Sequence, residues 1–227
     1  MIRSWTELKN NGEEDLGVEY VSSFALLGID KEGLLSTDEK LEVLIARNAW
    51  QKELIWNRFS MDQLGMSISQ PDKVRRSSQT ISVGNTGNWS TKNYLPMGCL
   101  KNKETDSILF WQIEQNGSWY WEISDQDGHM YLQLSGPTEH QSHWWKNLKP
   151  GDTFASVPVS VGSACGDVEE AAGELTKYRR AIRRKNEDNE KLPVIFNDYM
   201  NCLWGDPTTE KAVSYTHLRA HETSQDL

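Results

Sequence analysis

Ten tryptophans stand at positions 5, 50, 56, 89, 111, 119, 121, 144, 145 and 204 of a 227-residue chain. An indole ring either buries a large apolar area in a core or offers its flat face to the C–H face of a pyranose. Composition does not choose between the two. A second group of candidates lies in "LPVIFNDYMNCLWGDP", where a continuous apolar run ends in Asn197, Asp198 and Tyr199. A strand buried on both faces has this form, and in parallel barrels the chemistry sits at the C-terminal ends of such strands. His217 and His221 have the i, i+4 spacing that two metal ligands on one helix face would need.

The elements that must hold these residues divide the chain in two. As far as about Gly162 the pattern is one of short strands. "SWTELKN", "GVEYVSSFALLG", "KLEVLIARNAW" and "QKELIWNRFS" are extended runs rich in β-branched and aromatic residues. Three further antiparallel strands are expected over about 108–114, 119–124 and 129–134, joined by type I′ turns at Asn116-Gly117 and Asp127-Gly128. "LKPGDTFASVPVSVG" adds another, turning at Pro150-Gly151, with Pro158 confined to an edge or a bulge because it donates no ladder hydrogen bond. The stretch 71–93 is polar and reads as a long loop. Many strands at this spacing predict a β-sandwich.

After Gly166 the apolar period changes. Val168, Ala171, Ala172, Leu175, Tyr178 and Ile182 predict one amphipathic helix of about 18 residues by its 3.6 period. Asp167 is placed to cap it, acids fill its first turn, and Arg179, Arg180, Arg183 and Arg184 form a solvated basic end. "KNEDNEK" then links to the buried strand. Asp206 as cap and Pro207 in the first position predict a second helix start, which completes one β/α unit.

A net charge of −9 excludes the basic footprint of a nucleic-acid or anionic-membrane partner. No run of about 18 apolar residues is present to span a bilayer, and the first residues lack the apolar core of a signal peptide. Cys99, Cys165 and Cys202 are widely spaced without a C-x-x-C pair, so they read as reduced, packed thiols rather than a disulfide or zinc framework. No motif implies a cofactor.

"LKPGDTFASVPVSVGSACGDVEEAAGELTKYRRAIRR" followed by "LPVIFNDYMNCLWGDPTTEK" resembles the junction of the family-36 glycoside hydrolases, the melibiase-type α-galactosidases. In that family a large β-supersandwich ends in a "PGE-F-TP-V" strand, and a helix then leads into the first strand of a (β/α)8 barrel. "IRSWTELKNNGEEDLGVEYVSSFAL", "WSTKNYLPMG" and "FWQIEQNGSWYWEI" resemble earlier parts of that sandwich, so the resemblance runs from about residue 2 to 211. It implies a mainly β chain: a partial β-supersandwich over residues 1–164, a linker helix over 165–190, and the first strand of a truncated (β/α)8 barrel over 191–211. It also implies retaining hydrolysis of terminal α-galactosides by two aspartates about 5–5.5 Å apart. Both come from later barrel strands, beyond the end of this chain.

Carried onto this sequence, the family's Asn-Asn-Trp-Glu pattern falls on Asn197-Asp198-Tyr199-Met200. Tyr199 then corresponds to the aromatic beside the galactose subsite and Asp198 to a polar residue on the pocket floor. Trp204 either covers the pocket or packs at the junction. The implied partner is a galactoside oligosaccharide such as melibiose or raffinose, the implied assembly a homo-oligomer, and the implied location cytoplasmic.

A whole barrel needs roughly 250 residues, far more than remain here. "VSYTHLRAHET" resembles translated sequencing-library adapter, which makes residues 212–227 an expected artefact and removes His217 and His221 as ligands. Truncation at both ends and an exposed sheet edge prone to association are therefore expected. The alternative is a free-standing carbohydrate-binding sandwich that uses Trp119, Trp121, Trp144 or Trp145 as its platform. A doubly buried strand after a helix speaks for the enzyme fragment.

Overall fold

The structure, a computed structural model, describes residues 1–66, 79–126, 128–193, 208–211 and 213. Its strands are β1 (Ile2–Ser4), β2 (Glu7–Lys9), β3 (Leu16–Val18), β4 (Ser22–Leu27), β5 (Leu41–Ala49), β6 (Lys52–Ser60) and β7 (Ile81–Asn85). They continue with β8 (Tyr94–Asn102), β9 (Ser107–Ile113), β10 (Trp119–Gln126), β11 (His129–Ser135), β12 (Lys146–Leu148), β13 (Thr153–Ala155) and β14 (Val159–Cys165). The helices are α1 (Thr37–Lys40), α2 (Glu139–Ser142), α3 (Val168–Ile182) and α4 (Glu187–Lys191).

Two antiparallel sheets carry the fold. One has the order β1-β14-β9-β8-β5-β6 and the other β4-β11-β10-β7, while β12 with β3 and β13 with β2 form two small ribbons. Alternation explains how the sheets meet. Val43 and Ile45 of β5, Leu100 of β8, Trp111 and Ile113 of β9, and Val159 and Val161 of β14 point to one side of the larger sheet. They pack against Val83, Trp119, Trp121, Ile123, Leu132 and Leu134 of the smaller one. Trp111 and Trp121 meet edge to face, ring centroids 5.1 Å apart at 77°, the T-shaped arrangement that aromatic quadrupoles favour.

The larger sheet is covered on its other face too. Leu44, Cys99, Ile108 and Phe110 pack against Ala171 and Leu175 of α3. That is why β9 carries the run Ile108-Leu109-Phe110-Trp111 in place of alternation: each of its faces is buried by a different layer. The helix and both sheets belong to one compact unit, Met1–Ile182, and residues from Arg183 onward form a second.

The mainly β architecture agrees with the sequence reading, but several local expectations are corrected. The 108–114 and 119–124 strands do not form a hairpin. β9 lies in the six-stranded sheet and β10 in the four-stranded one, so residues 114–118 cross between sheets, and Gly117 is not among the glycines with positive φ. A type I′ turn requires positive φ at that position. The second hairpin is present: β10 pairs with β11 from Tyr120↔Ser135 to Gln126↔His129, and Gly128 has φ of 78°. The stretch expected as a loop contains β7, paired with β10 from Trp119↔Asn85 to Ile123↔Ile81. Only Ile81 and Val83 are apolar in it, too few for alternation to register. The helix spans 15 residues rather than 18, with α4 following as a separate turn capped by the Asn186 side chain. Cys165 is exposed while Cys99 is buried; the last residue of β14 has no layer above it.

Pro158 precedes β14 and accepts from the Glu114 N–H at 2.9 Å, so its missing donor falls outside the ladder. Gly151 turns with φ of 87°. Asn10 ties that turn down: its backbone carbonyl accepts from Gly151, and its side-chain amide donates to the carbonyls of Glu14 and Leu148 at 2.7 and 2.8 Å.

Candidate functional site

Asn197, Asp198, Tyr199 and Trp204, the residues expected to meet a sugar, lie outside the described residues, as do Cys202, His217 and His221. The helix expected after them is described from Thr208 onward. Thr208 Oγ1 accepts from the Lys211 N–H at 3.3 Å, the bond from a cap to the third helical position. Thr208 therefore makes a cap contact; Asp206 and Pro207, expected to start this helix, lie outside the described residues.

A polar framework around α3 is well defined in the first unit. Arg58 holds the N-terminus of α3. Its Nη2 donates to both oxygens of Asp167 at 2.7 and 2.6 Å, and its Nη1 to Glu42 at 2.9 Å. Asp167 accepts from the Val168 N–H at 2.7 Å, and its own N–H donates to Glu170 at 2.8 Å. Burial raises the Asp167 pKa, but Arg58 and the Val168 N–H outweigh it and leave the carboxyl below its ordinary value. Gly166, at φ of 113°, turns the chain from β14 into α3; the buried Lys101 donates to its carbonyl and pairs with Asp106.

At the other end of α3, Tyr178 Oη donates to Glu114 Oε1 at 2.6 Å, and Arg179 donates through Nε and Nη2 to Gln112 at 2.9 and 2.7 Å. Glu114 also accepts from Arg3 Nε and Nη2 at 2.9 and 2.7 Å, and from the Ser160 hydroxyl. Burial pushes the Glu114 carboxyl up, yet the bonds from Ser160, Tyr178 and Arg3 prevail and hold it below its ordinary value. One carboxylate thus joins β1, β14 and α3. The expected solvated basic end is partly engaged, since Arg179 is spent on Gln112.

A tyrosine cluster occupies the outer face of the four-stranded sheet. Tyr120 donates to Glu122 Oε2 at 2.6 Å and Tyr131 to Oε1 at 2.8 Å. Burial first, then the Glu122 carboxylate, raises the pKa of Tyr120 and Tyr131, so both remain protonated donors. Tyr20 is raised by the same two causes. Tyr20, Tyr120 and Glu122, with Glu19, Gln133 and His140, line an open groove of about 310 Å³. Because each Glu122 oxygen already accepts a phenol hydrogen, Glu122 fits a structural hub better than a nucleophile, which needs a free oxygen aimed at an anomeric carbon. The outward placement of Tyr120 and Glu122 was readable from the alternation in "WYWEI". The addition of Tyr131 depends on strand register, which sequence does not supply.

The tryptophans separate sharply. Trp111, Trp119 and Trp121 are 0–1% exposed, so two of the four platform candidates, Trp119 and Trp121, are core residues. Trp145 is 65% exposed. Trp144 stacks obliquely on Phe154, ring centroids 5.4 Å apart, and with Trp5 lines a groove of about 480 Å³ at the rim of the sandwich. Among the described residues no three His, Cys, Asp or Glu side chains converge to hold a metal, and no described helix is long and apolar enough to cross a membrane.

No protein-family model and no curated protein matches the chain. Solved structures do match, α-galactosidases among them. The family-36 enzyme AgaB of Geobacillus stearothermophilus superposes with a TM-score of 0.66 at 14% identity over 85% of this chain and 24% of that one. A substituted AgaA from the same organism, in complex with stachyose, gives 0.64 at 14% identity over 82% and 23%. The galactosidase domain of the α-galactosidase–sucrose kinase AgaSK gives 0.56 at 18% identity over 72% and 20%. The chain therefore spans about a fifth to a quarter of the length of the structures it resembles. What it shares with them is the fold of their N-terminal β domain.

Proposed function

We propose that this chain is the sandwich and barrel-entry portion of a retaining α-galactosidase, acting on terminal α-galactosyl residues of oligosaccharides such as melibiose or raffinose. On this reading the two catalytic aspartates belong to later barrel strands, and the portion described here scaffolds the site without turning substrate over. The observation that carries the proposal is the conjunction of two features. A two-sheet sandwich with α3 clamped to it has the fold found in solved α-galactosidases. A doubly apolar run, "LPVIF", then follows and ends in Asn197-Asp198-Tyr199, the arrangement that places polar and aromatic groups at the mouth of a barrel.

Tyr199 contacts galactose, Asp198 and Asn197 hydrogen-bond its hydroxyls, and Trp204 closes the side of the pocket. No cofactor or metal takes part. The parent enzyme is a cytoplasmic homo-oligomer, and neither nucleic acid nor a membrane is among its partners. The test is Tyr199→Ala in the full enzyme: KM for an aryl α-galactoside rises by about tenfold, as expected when an aromatic that fills a pocket is removed. Unchanged KM and kcat would remove Tyr199 from the site.

A further inference from the structure

We propose that the groove lined by Trp5, Trp144 and Phe154 is a second carbohydrate site, which takes a neutral oligosaccharide on the sandwich itself. The proposal goes beyond the galactosidase reading, because it concerns a different part of the chain from the barrel mouth. Its volume of about 480 Å³ falls within the roughly 300–1,000 Å³ of small-molecule sites. Three aromatic rings supply flat apolar faces, Pro137 and Pro158 add rigid walls, and Arg3 and Gln115 stand as hydrogen-bond donors at the rim.

The rings are held before any ligand arrives. Trp5 Nε1 donates to Glu7 Oε1 at 2.9 Å, and the Arg3 guanidinium lies 5.9 Å from the centre of the Trp5 ring. Trp144 leans on Phe154, whose ring also carries the Lys146 ammonium at 5.5 Å. Trp5 is nevertheless 47% exposed. A ring fixed by hydrogen bonding yet left open to solvent loses little side-chain entropy on stacking.

Charge selects the class of ligand. Arg3, the cation among the described lining residues, is already paired with Glu114 at 2.7 Å, the Lys146 ammonium lies over the Phe154 ring, and the chain carries a net charge of −9, so charge does not favour an anionic ligand over a neutral one. A purely apolar ligand would leave the remaining donors of Arg3 and Gln115 unmatched. A neutral sugar answers both constraints, with C–H faces for the rings and hydroxyls for the rim.

The experiment is titration of the 227-residue chain with raffinose and with stachyose, followed by intrinsic tryptophan fluorescence and by calorimetry. A saturable response is expected, with the dissociation constant raised about tenfold or more in Trp144→Ala and in the more exposed Trp5→Ala. Trp89→Ala, an exposed loop position, should change it less than about twofold, as a surface site away from the ligand does. Far- and near-ultraviolet circular dichroism establishes that each variant is folded, and Trp5→Ala carries the test if Trp144→Ala is not. No saturable response, or one retained in the folded groove variants, overturns the proposal. So does a sugar-free chain that sediments as a dimer through Trp5, since a second copy would then be the occupant. A response lost in Tyr199→Ala but kept in Trp5→Ala places the sugar at the barrel segment; it overturns the groove and leaves the galactosidase reading standing.

Discussion

The space between the two sheets and the groove at their rim are built from the same residue type put to opposite uses. Trp111, Trp119 and Trp121 sit in strands β9 and β10, where alternation turns each ring into the core. Trp5 and Trp144 sit outside strands, between β1 and β2 and between α2 and β12, where no second sheet covers them. Even the polar atoms differ. The indole N–H groups of Trp111 and Trp121 are buried without a partner, a desolvation cost that only their packing offsets, whereas Trp119 donates to the Ser90 carbonyl at 2.7 Å and Trp5 to Glu7. The role of a tryptophan in this chain follows from whether its backbone is hydrogen-bonded into a ladder, more than from its neighbours in sequence.

That contrast can be broken most severely in the core. Trp121→Ala should cost about 3–5 kcal/mol, the range for truncating a fully buried large aromatic, seen as a large drop in the urea midpoint or outright failure to fold. A smaller loss is expected from Gly98→Ala. A Cβ there would lie 2.5 Å from the Trp111 ring, and because that ring is pinned against Trp121 it cannot retreat; overpacking of this kind costs about 1–3 kcal/mol. At the opposite pole, Trp145→Ala, at a site 65% exposed, should shift stability by less than about 0.5 kcal/mol. If it cost as much as the core substitutions, the division between buried and open rings would be wrong.

The clamp between α3 and the sheet sharpens the comparison through pH. Glu114 is held below its ordinary value of 4.5 by Ser160, Tyr178 and Arg3 against the effect of burial. A carboxyl depressed in the folded state contributes stability fully above its unfolded pKa and loses it as pH falls through the folded one. Stability should therefore decline below about pH 4.5 more steeply in the wild-type chain than in Glu114→Gln, which should be less stable at neutral pH and flatter in acid. Equal slopes would mean that the carboxylate does not titrate with unfolding.

Much of the fold was readable. Periodicity placed β5, β6, β9, β10, β11 and α3 close to where they stand, because each presents several apolar residues at one regular spacing. What sequence could not convey was which strands pair. Asn116-Gly117 has the chemistry of a tight hairpin, yet β9 has a face for α3 as well as one for the core, and it joins the larger sheet instead. β7 escaped notice because Ile81 and Val83 are its only apolar anchors. For the candidate sites the balance reverses. The tyrosines around Glu122 come together through register, and the groove through the meeting of segments around Trp5, Trp144 and Phe154 that lie far apart in the chain; neither has a local signature.

The most direct test of the account is an assay of the 227-residue chain, purified and shown to be folded, against p-nitrophenyl α-galactoside over a range of pH. The account predicts release of nitrophenol no faster than in buffer, since on the proposed reading this portion scaffolds a catalytic barrel without cleaving the bond itself. Turnover above buffer that disappears in Glu122→Gln would contradict it, and would move the active centre to the tyrosine-lined groove.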